Sequence, residues 1–323
     1  MSRVTVDVHV RPEDREEALR ADVLDGLTAS PKELPPKWFY DDRGSQLFEA
    51  ITRLAEYYPT RTERAILKAD APAIVAAARC DTLVELGSGT SEKTRLLLDA
   101  MAGAGSLRRF VPFDVSEQTL RDAAVSIASE YPGVEVHAIA GDFGRHLGEI
   151  PGAGARRTVA FLGGTIGNLA PAERKAFFAE VADMLGAGET FLLGTDLVKD
   201  VGRLVAAYDD DSGVTAEFNR NVLRVVNREL GADFDVDAFA HVARYDTDED
   251  WIEMLLEATR PMAVTVPPLG LTVDFAAGER MRTEISAKFR REGLTAELAA
   301  TGLKPAGWWT DPAADFALSL WRR

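Results

Sequence analysis

The amino-acid sequence predicts an α/β protein: a mainly parallel sheet that ends in antiparallel strands, with a second α+β domain inserted near its C-terminal end. Two features support this prediction. Short apolar strands alternate with amphipathic helices between residues 81 and 195, a pattern typical of parallel strands joined by right-handed crossovers. Beyond Lys199 the alternation stops, and two helices followed by a β-rich stretch replace it.

The elements of the sheet domain follow from the spacing of apolar residues. Strands are predicted at 81–86, 110–113, 134–139, 158–162 and 190–195, with two more at 307–310 and 316–321. Helices are predicted at 92–101, 116–131 and 172–185, where Ser116 suits an N-cap and Pro171 suits a first turn. Thr60 and Glu63 match a capping box, so another helix is expected to begin there.

The second domain is expected to combine two segments of the chain. The first contains a helix at 14–29, a loop at 31–45 and a short helix carrying Leu47 and Ile51. The second contains helices at 200–208 and 215–230 and strands within 241–286, with a turn at 247–250. A last helix is expected at 295–301, in the C-terminal part of the sheet domain.

We therefore predict a sheet domain of residues 62–198 and 288–323, and a second domain of residues 13–61 and 199–287.

Composition and charge narrow the functional class. The 323 residues are 46% hydrophobic and have a formal net charge of −15, which favours a packed globular protein and argues against nucleic acid or an anionic membrane as partner. Cys80 is the one cysteine, so no intramolecular disulfide is possible and a reducing compartment is expected. The four histidines show no metal-ligand spacing with it. With no signal peptide or long apolar run, we expect a cytoplasmic protein. We also expect it to act on a small molecule without a metal, and to be a monomer, which the acidic chain permits.

A glycine turn follows the first strand of the alternating region. The strand ends at Glu85 and Leu86, and Gly87-Ser88-Gly89 then leads into a helix. Glycines at this place let the backbone approach a ligand without an intervening Cβ. A plain strand–helix connection has the same appearance, so the turn alone leaves both explanations open.

Two acidic residues follow the next two strands. Asp114 ends the second strand and can accept hydrogen bonds from both ribose hydroxyls of a nucleoside. Asp142 follows the third and can accept from an adenine amino group, with Phe143 beside the ring. Each acid alone is also explained as a helix N-cap. Three such features at the ends of successive strands favour a nucleoside cofactor.

The surroundings of the turn indicate which cofactor. Glu92 occupies the position of the third glycine in a dinucleotide fingerprint, which disfavours a nicotinamide-dependent oxidoreductase. Glu85 adds negative charge, which is unfavourable to a pyrophosphate but suits a sulfonium cation. Lys93 can bind a carboxylate, although a solvent-facing helical lysine would look the same. Together these features resemble the S-adenosylmethionine (SAM)-dependent methyltransferases with a Rossmann-like sheet. The expected cofactor residues are Gly87, Ser88, Lys93, Asp114, Asp142 and Phe143.

Several further segments resemble one family of these enzymes. They are PKWFYD at 36–41, EYYPTRTE at 56–63, GGTIGN at 163–168, GTD at 194–196 and TEIS at 283–286. The set is similar to the histidine Nα-methyltransferases of ergothioneine biosynthesis over nearly the whole chain. The resemblance implies that three SAM molecules trimethylate the α-amine of L-histidine to give hercynine, and that Tyr40 contacts the cofactor. Gly164 stands where we expect a serine in relatives.

The resemblance also assigns substrate residues. Asn168 and Tyr208 look like the pair that holds the α-amino and carboxylate groups, and Tyr57 looks like a further contact. We hypothesise that these three also orient the amine for attack, without a dedicated strong base. From the residues alone, a helix cap explains Asn168 better than a substrate contact does. A buried position on the face of Val201, Leu204 and Val205 likewise explains Tyr208 better.

Glu284 and Ser286 lie two residues apart, so an extended backbone places both side chains on one face. A carboxylate and a hydroxyl can engage the two imidazole nitrogens, one as acceptor and one as donor. From the sequence alone, an exposed polar strand is the better explanation of this pattern. Phe48 can face the amine, because an aromatic face attracts methylated ammonium groups; hydrophobic packing explains this residue at least as well. By resemblance alone, Met254 lies near the same pocket.

Two other functions remain open at this level. One is a SAM-dependent methyltransferase of another amino acid or amine, against which Glu284 and Ser286 argue because they suit an imidazole. The other is a non-catalytic SAM-binding protein, against which the inserted domain with its polar residues argues.

Overall fold

The computed structural model describes residues 4–152 and 156–323 of the chain. Its strands are β1 (Val4–Val8), β2 (Thr82–Leu86), β3 (Arg109–Asp114), β4 (Glu135–Ala140), β5 (Arg157–Phe161), β6 (Thr190–Asp196), β7 (Phe239–Asp246), β8 (Trp251–Ala258), β9 (Met262–Val266), β10 (Leu271–Phe275), β11 (Arg280–Ala287), β12 (Lys304–Thr310) and β13 (Phe316–Arg322). Its α-helices are α1 (Pro12–Thr28), α2 (Asp42–Ile51), α3 (Pro59–Ala78), α4 (Arg95–Gly103), α5 (Glu117–Glu130), α6 (Pro171–Met184), α7 (Val201–Ala206), α8 (Val214–Leu230) and α9 (Arg291–Ala299).

The chain forms two compact units. Unit 1 comprises Pro59–Leu197, Phe289–Arg323 and the described part of Met1–Arg11. Unit 2 comprises Pro12–Tyr58 and Val198–Lys288. Each unit has its own hydrophobic core, because apolar helix faces must be buried against a sheet or another helix.

Unit 1 is built on an eight-stranded sheet with the order β1-β4-β3-β2-β5-β6-β13-β12. The strands from β1 to β6 pair in parallel, whereas β13 runs antiparallel to β6 and β12 antiparallel to β13. This confirms the predicted parallel sheet with terminal antiparallel strands. The strand order reverses at β2, which pairs with both β3 and β5. In open parallel sheets, ligands bind at the carboxyl edge beside such a reversal.

The central strands are buried on both faces, as their continuous apolar sequences require. All five residues of β2 are buried, including Thr82 and Glu85. On one face, α6 contributes an aromatic cluster in which Phe177 packs 4.9 Å from Phe161 and 6.5 Å from Phe191, measured between ring centroids. A second cluster of buried side chains joins α3, α4 and α5 to the sheet.

Unit 2 contains a three-stranded antiparallel sheet with the order β11-β8-β7 and the hairpin β9–β10. The long helix α8 packs on β7 and β8, and α1 and α2 pack on α8. Phe218 of α8 lies 4.7 Å from Phe39 between ring centroids, and both rings are buried. The predicted turn at 247–250 is confirmed, because it joins β7 to β8.

Several local predictions differ from the structure. The capping box at Thr60 and Glu63 is wrong: α3 begins at Pro59, and the Glu63 carboxylate instead accepts from Gly163 N in unit 1. The loop expected at 31–45 contains a 3₁₀ turn at Pro36–Phe39 and the start of α2. Strand β1 was not predicted, because its alternating sequence VTVDV is short and half-polar. Tertiary contacts decide such segments, since their local preferences are weak.

Two observations on the described residues concern membrane-spanning helices and metal-binding groups. None of its helices is both long and apolar enough to cross a lipid bilayer. Within residues 4–152 and 156–323, no three His, Cys, Asp or Glu side chains are grouped as metal ligands.

A buried ion pair in unit 1 provides a test of its core. Arg157 and Glu189 are each about 5% exposed, with Arg157 Nε 2.9 Å from Oε1 and Nη2 2.8 Å from Oε2 of the carboxylate. Arg157→Met leaves Glu189 as an uncompensated buried charge, so we expect a loss of about 3–5 kcal/mol in the free energy of unfolding. Urea denaturation measures this loss.

The matched control is Arg109→Met. Arg109 pairs with Glu135 at 3.0 Å in the same sheet, but these side chains are 35% and 38% exposed. Its loss should be about 1 kcal/mol or less. Equal losses for the two variants would show that burial of the Arg157 pair has no energetic consequence.

Candidate active site

The glycine turn lies at the carboxyl edge of β2. Gly87 and Gly89 have φ angles of 67° and 49°, in the left-handed region that favours glycine. Gly87 N donates to Phe113 O at 2.8 Å, which fixes the turn to the end of β3. No atom lies within 4 Å of the place where a Cβ at either glycine would be, apart from the chain neighbours. The turn is therefore both strained for other residues and open to a ligand.

Asp114 is tied to this turn by hydrogen bonds. Its Oδ2 accepts from Gly89 N at 2.8 Å, and its Oδ1 accepts from Ser116 N at 2.9 Å. Each carboxylate oxygen has a second lone pair, so the fixed carboxylate can still accept from two ligand hydroxyls. Ser116 occupies the N-cap position of α5 as predicted, but its hydroxyl bonds to Thr119 Oγ1 instead of a backbone amide.

Asp142 and Phe143 follow β4 at the same edge of the sheet. Asp142 Oδ1 accepts from Gly144 N at 2.8 Å, which forms a tight turn. The half-buried Phe143 ring packs edge-on against Phe161 at 5.5 Å and Phe177 at 5.9 Å. This packing fixes the position of the Phe143 ring.

Lys93 is held by a buried acid that sequence reasoning misassigned. Glu63 has no exposed surface, and its Oε2 lies 2.5 Å from Lys93 Nζ. The same carboxylate accepts from Gly163 N at 2.8 and 3.0 Å. A Cβ at Gly194 would lie 2.2 Å from Glu63 Oε1, so glycine at 194 is what leaves room for this carboxylate. Lys93 is therefore a positioned cation, with 26% of its side chain exposed.

Two polar side chains beside the turn, Ser88 and Glu85, each have a buried oxygen without a hydrogen-bond partner among the described residues. Ser88 Oγ has no hydrogen-bond partner within the described residues. Burial raises the pKa of Glu85 to about 7, although a hydrogen bond from Thr94 opposes the shift. The full negative charge expected of Glu85 is thus only partial near neutral pH.

In unit 2 an aromatic row brings four of the predicted residues together. Ring centroids are 5.6 Å apart for Tyr40 and Phe48, 6.1 Å for Phe48 and Tyr57, and 6.2 Å for Tyr57 and Tyr208. Tyr57 and Tyr208 are buried, Phe48 is half-buried, and Tyr40 is 41% exposed. The row presents a run of π faces and two buried phenol hydroxyls.

Tyr208 leads into a polar group at the end of β11. Tyr208 Oη lies 2.7 Å from Ser286 Oγ, and Lys288 Nζ lies 2.9 Å from Tyr208 Oη and 2.8 Å from Ser286 Oγ. All three side chains are at most 8% exposed. Family resemblance identified Tyr208, and the two-residue spacing from Glu284 identified Ser286. Neither signal identified Lys288, although Lys288 continues the alternation of Glu284 and Ser286.

Glu284 lies beside Met254 on the face of this sheet that also carries Ser286. The strand register pairs Glu284 with Met254 and Ser286 with Ile252, and directly opposed side chains share a face. The register shifts between Arg282 and Glu284, so an extra residue bulges β11 there. Burial raises the pKa of Glu284 to about 7, against the opposing charge of Lys288.

A buried hydrogen-bond network supports the bulge. Thr283 Oγ1 donates to Asn219 Oδ1 at 2.6 Å, and Asn219 Nδ2 donates to Leu255 O at 3.0 Å. The His241 ring bonds to Asn219 Nδ2 and to Tyr208 O, both at 2.8 Å. Burial lowers the pKa of His241, so the ring is neutral and suits a donor at Nε2 and an acceptor at Nδ1.

The predicted residues are therefore divided between the units. Unit 1 holds Gly87, Ser88, Lys93, Asp114, Asp142, Phe143 and Asn168, and unit 2 holds Tyr40, Phe48, Tyr57, Tyr208, Met254, Glu284 and Ser286. Asn168 is half-buried in the 3₁₀ turn Thr165–Asn168 that follows β5. Tyr40, predicted to contact the cofactor, packs among the predicted substrate residues.

Comparison with known proteins decides the family. A family profile described as "Histidine-specific methyltransferase, SAM-dependent" matches residues 19–323. The chain belongs to this family. It is thus a SAM-dependent methyltransferase, as the strand-end motifs and segment resemblances predicted, and its sheet is the Rossmann-like sheet expected of such an enzyme.

Individual relatives of this histidine-specific methyltransferase agree with the assignment. A histidine N-alpha-methyltransferase of Mycolicibacterium smegmatis is 64% identical over 304 residues, covering 94% of each chain. That of Mycobacterium tuberculosis is 59% identical over 318 residues, covering 98% of this chain and 99% of its own. Ergothioneine biosynthesis protein 1 of Neurospora crassa is 31% identical over 288 residues, covering 87% of this chain and 32% of the fungal protein.

The carboxyl edge of the sheet fits the cofactor of this family. Asp114 has free lone pairs for ribose hydroxyls, and the open glycine turn leaves space for the nucleoside. The orphaned Ser88 hydroxyl and the Lys93 ammonium suit the polar amino-acid end of SAM. Bound SAM supplies an electrophilic methyl carbon on a sulfonium.

The raised pKa of Glu284 predicts a pH-dependent effect on stability. A carboxyl whose pKa rises from 4.5 to about 7 on folding destabilises the folded state as pH increases between those values. Glu284→Gln removes the ionisation. We expect the variant to melt a few degrees above the wild type at pH 8.5 and close to it at pH 5.

Thermal melts across this pH range measure the difference. Glu249→Gln removes an exposed carboxyl in the β7–β8 turn and should show no comparable trend. A pH-independent difference for Glu284→Gln would rule out a buried, titrating carboxyl at this position.

Proposed function

We propose that the protein transfers three methyl groups from three SAM molecules to the α-amino group of L-histidine, giving hercynine in ergothioneine biosynthesis. The observation that carries this proposal is the pairing of Glu284 and Ser286 on one face of β11. A carboxylate acceptor and a hydroxyl donor complement the N–H and the bare nitrogen of a neutral imidazole. The names of the mycobacterial and fungal relatives support the same substrate and pathway.

Specificity for histidine follows from the environment of these two residues. Ser286 is buried and Glu284 is half-buried, and burial raises the pKa of the Glu284 carboxyl to about 7. An apolar amino acid would offer no hydrogen bond to the Glu284 carboxylate or to the Ser286 hydroxyl proton, and a site built to hydrogen-bond its substrate rejects such analogues strongly. Met254, paired with Glu284, forms the apolar boundary of the ring pocket.

The amino-acid end of the substrate is assigned to Asn168, Tyr208 and Tyr57. The Asn168 amide and the Tyr57 phenol can accept from the amine and donate to the carboxylate, and the Tyr208 oxygen can accept from the amine. These residues orient the lone pair of the amine and need not act as strong bases, because an α-amino pKa of about 8 leaves a minor neutral fraction at pH 7.

Each transfer step is an in-line displacement. The amine nitrogen forms a bond to the methyl carbon, the carbon–sulfur bond breaks, and S-adenosylhomocysteine leaves with the electron pair. The first two products lose a proton before the next attack, and the third nitrogen becomes a permanent cation. Because the sulfonium is already electrophilic, alignment supplies most of the rate.

The aromatic row suits the methylated intermediates. Phe48 and Tyr57 present π faces, which attract alkylammonium groups by about 0.5–2 kcal/mol depending on desolvation. Mono- and dimethylhistidine would therefore be retained between turnovers. Tyr40 belongs to this row and is assigned to the cofactor by the family resemblance.

The cofactor roles follow the geometry of unit 1. We assign Asp114 to the ribose hydroxyls, Asp142 with Phe143 to the adenine, and Lys93 to the methionine carboxylate. Gly87 and Ser88 line the site for the nucleoside and for the amino-acid end of SAM. We further propose a cytoplasmic monomer without nucleic-acid or membrane partners, in keeping with the net charge of −15.

Product analysis tests the proposed reaction. Purified protein is incubated with SAM and each of the 20 amino acids, and the products are identified by mass spectrometry. Histidine should yield masses increased by one, two and three methyl groups, with the trimethylated form accumulating. Methylation of a different amino acid in preference to histidine contradicts the substrate, and binding of SAM without any turnover contradicts the catalytic role.

The cofactor assignment has its own test in Asp114→Asn. An amide offers one acceptor oxygen instead of two and no charge, so hydrogen bonds worth about 1.5–3 kcal/mol are lost. We expect S-adenosylhomocysteine to bind about 10- to 100-fold more weakly in calorimetry. Asp122→Asn, an exposed position on α5 with the same charge change, should bind like the wild type. Unchanged affinity in Asp114→Asn would remove this residue from the cofactor site.

A further inference from the structure

Lys288 is a buried lysine to which the proposed reaction assigns no role. It is 4% exposed, and its ammonium lies within 2.9 Å of both the Tyr208 and the Ser286 hydroxyl oxygens. It also lies 4.6 Å from the centre of the Tyr208 ring. Lysines are seldom buried to this extent, because removing an ammonium from water is costly unless specific partners compensate.

The direction of the hydrogen bonds follows from the chemistry of the three groups. A lysine ammonium can only donate, so both hydroxyl oxygens accept from Lys288. The bond between Tyr208 Oη and Ser286 Oγ, at 2.7 Å, then needs one of the two hydroxyl protons. A phenol is the more acidic group and is polarised further by accepting from a cation, so Tyr208 donates to Ser286.

This arrangement leaves Ser286 with one hydrogen-bonding capacity toward a ligand. A serine oxygen has two lone pairs. Lys288 uses one and Tyr208 uses the other, so the hydroxyl proton is what Ser286 offers. Glu284, two residues earlier on the same face, offers carboxylate oxygens when ionised. The same face of the strand therefore presents a hydroxyl donor, Ser286, and a carboxylate acceptor, Glu284.

We propose that Lys288 is a positioning residue for specificity: by donating to both Ser286 and Tyr208, it directs the Tyr208 proton to Ser286, so that Ser286 offers its own proton and selects a substrate ring that has an acceptor nitrogen. The inference rests on the proposed histidine methylation and deepens it. A neutral imidazole satisfies both Glu284 and Ser286. A ring with an N–H or a C–H in place of the bare nitrogen leaves the Ser286 proton unpaired.

The test compares histidine with pyrrolylalanine, in its 2-linked and 3-linked isomers. Either isomer keeps a five-membered ring and an N–H but lacks the acceptor nitrogen. The measured quantity is the ratio of kcat/KM for histidine to that for the analogue. In the wild type this ratio should be large, at least 100-fold. Lys288→Met keeps the length of the side chain without donors, and it should lower the ratio at least tenfold, mainly through the KM for histidine.

Two further variants separate specificity from folding. Lys288→Arg retains a cationic donor and should keep more of the ratio than Lys288→Met does. Ser286→Ala should lower the ratio like Lys288→Met, and the double variant should be no worse than either, because both changes remove the same interaction. If Lys288→Met does not fold, the ratios of kcat/KM for histidine to that for the analogue in Ser286→Ala and Lys288→Arg test the proposal instead.

Lys199→Met is the matched control. Lys199 Nζ lies 2.6 Å from Tyr58 Oη and 4.3 Å from the ring centre, a lysine–tyrosine contact in the same unit. Its loss should leave the histidine-to-analogue ratio unchanged. The proposal is overturned if Lys288→Met slows both substrates equally, or if the effects of Lys288→Met and Ser286→Ala multiply. Absence of histidine turnover in the wild type would instead refute the proposed function.

Discussion

The hydrogen bond from Gly89 N to the Asp114 carboxylate joins the ends of two neighbouring parallel strands, and the cofactor end of unit 1 depends on it. Parallel strands end at one edge, so acids that follow β3 and β4 meet a turn that follows β2. A left-handed φ at Gly89 aims the amide at the carboxylate. Glycine is required there because a Cβ would strain that conformation.

In each unit, a buried charged side chain fixes the positions of the polar groups around it. In unit 1, the Glu63 carboxylate has no exposed surface and orders both Lys93 and the turn at Gly163. In unit 2, Lys288 orders Tyr208 and Ser286. Buried charges need such partners, since desolvation is costly. Each charge therefore defines the direction of the groups around it more sharply than a solvated charge would.

The two carboxyls with a pKa of about 7 differ in their surroundings. Glu85 lies in a strand buried on both faces and accepts from Thr94. Glu284 lies on a half-buried strand face, where Lys288 opposes the effect of burial. At the proposed recognition site, a carboxyl that ionises near neutral pH lowers the stability of the folded protein as the pH rises, a common cost of functional residues. The bulge at Thr283 and its bonds to Asn219 hold Glu284 in that position.

The sequence by itself determined the alternating strands and helices, the glycine turn and the acids at the strand ends. These features are local: apolar periodicity sets each element, and a residue at the end of a parallel strand has a known edge of the sheet. Family resemblance added Tyr57, Asn168, Tyr208 and Met254, which no spacing rule would have selected.

The tertiary structure alone decided which distant side chains meet. Glu63 and Lys93 are 30 positions apart, and Tyr208 and Lys288 are 80 apart, so no local pattern relates them. Glu63 satisfied a capping-box pattern and was misassigned for that reason. The bulge before Glu284 was also invisible, because strand register is set by pairing with β8 and not by the sequence of β11. Long-range packing and desolvation, which depend on the whole fold, fix these contacts.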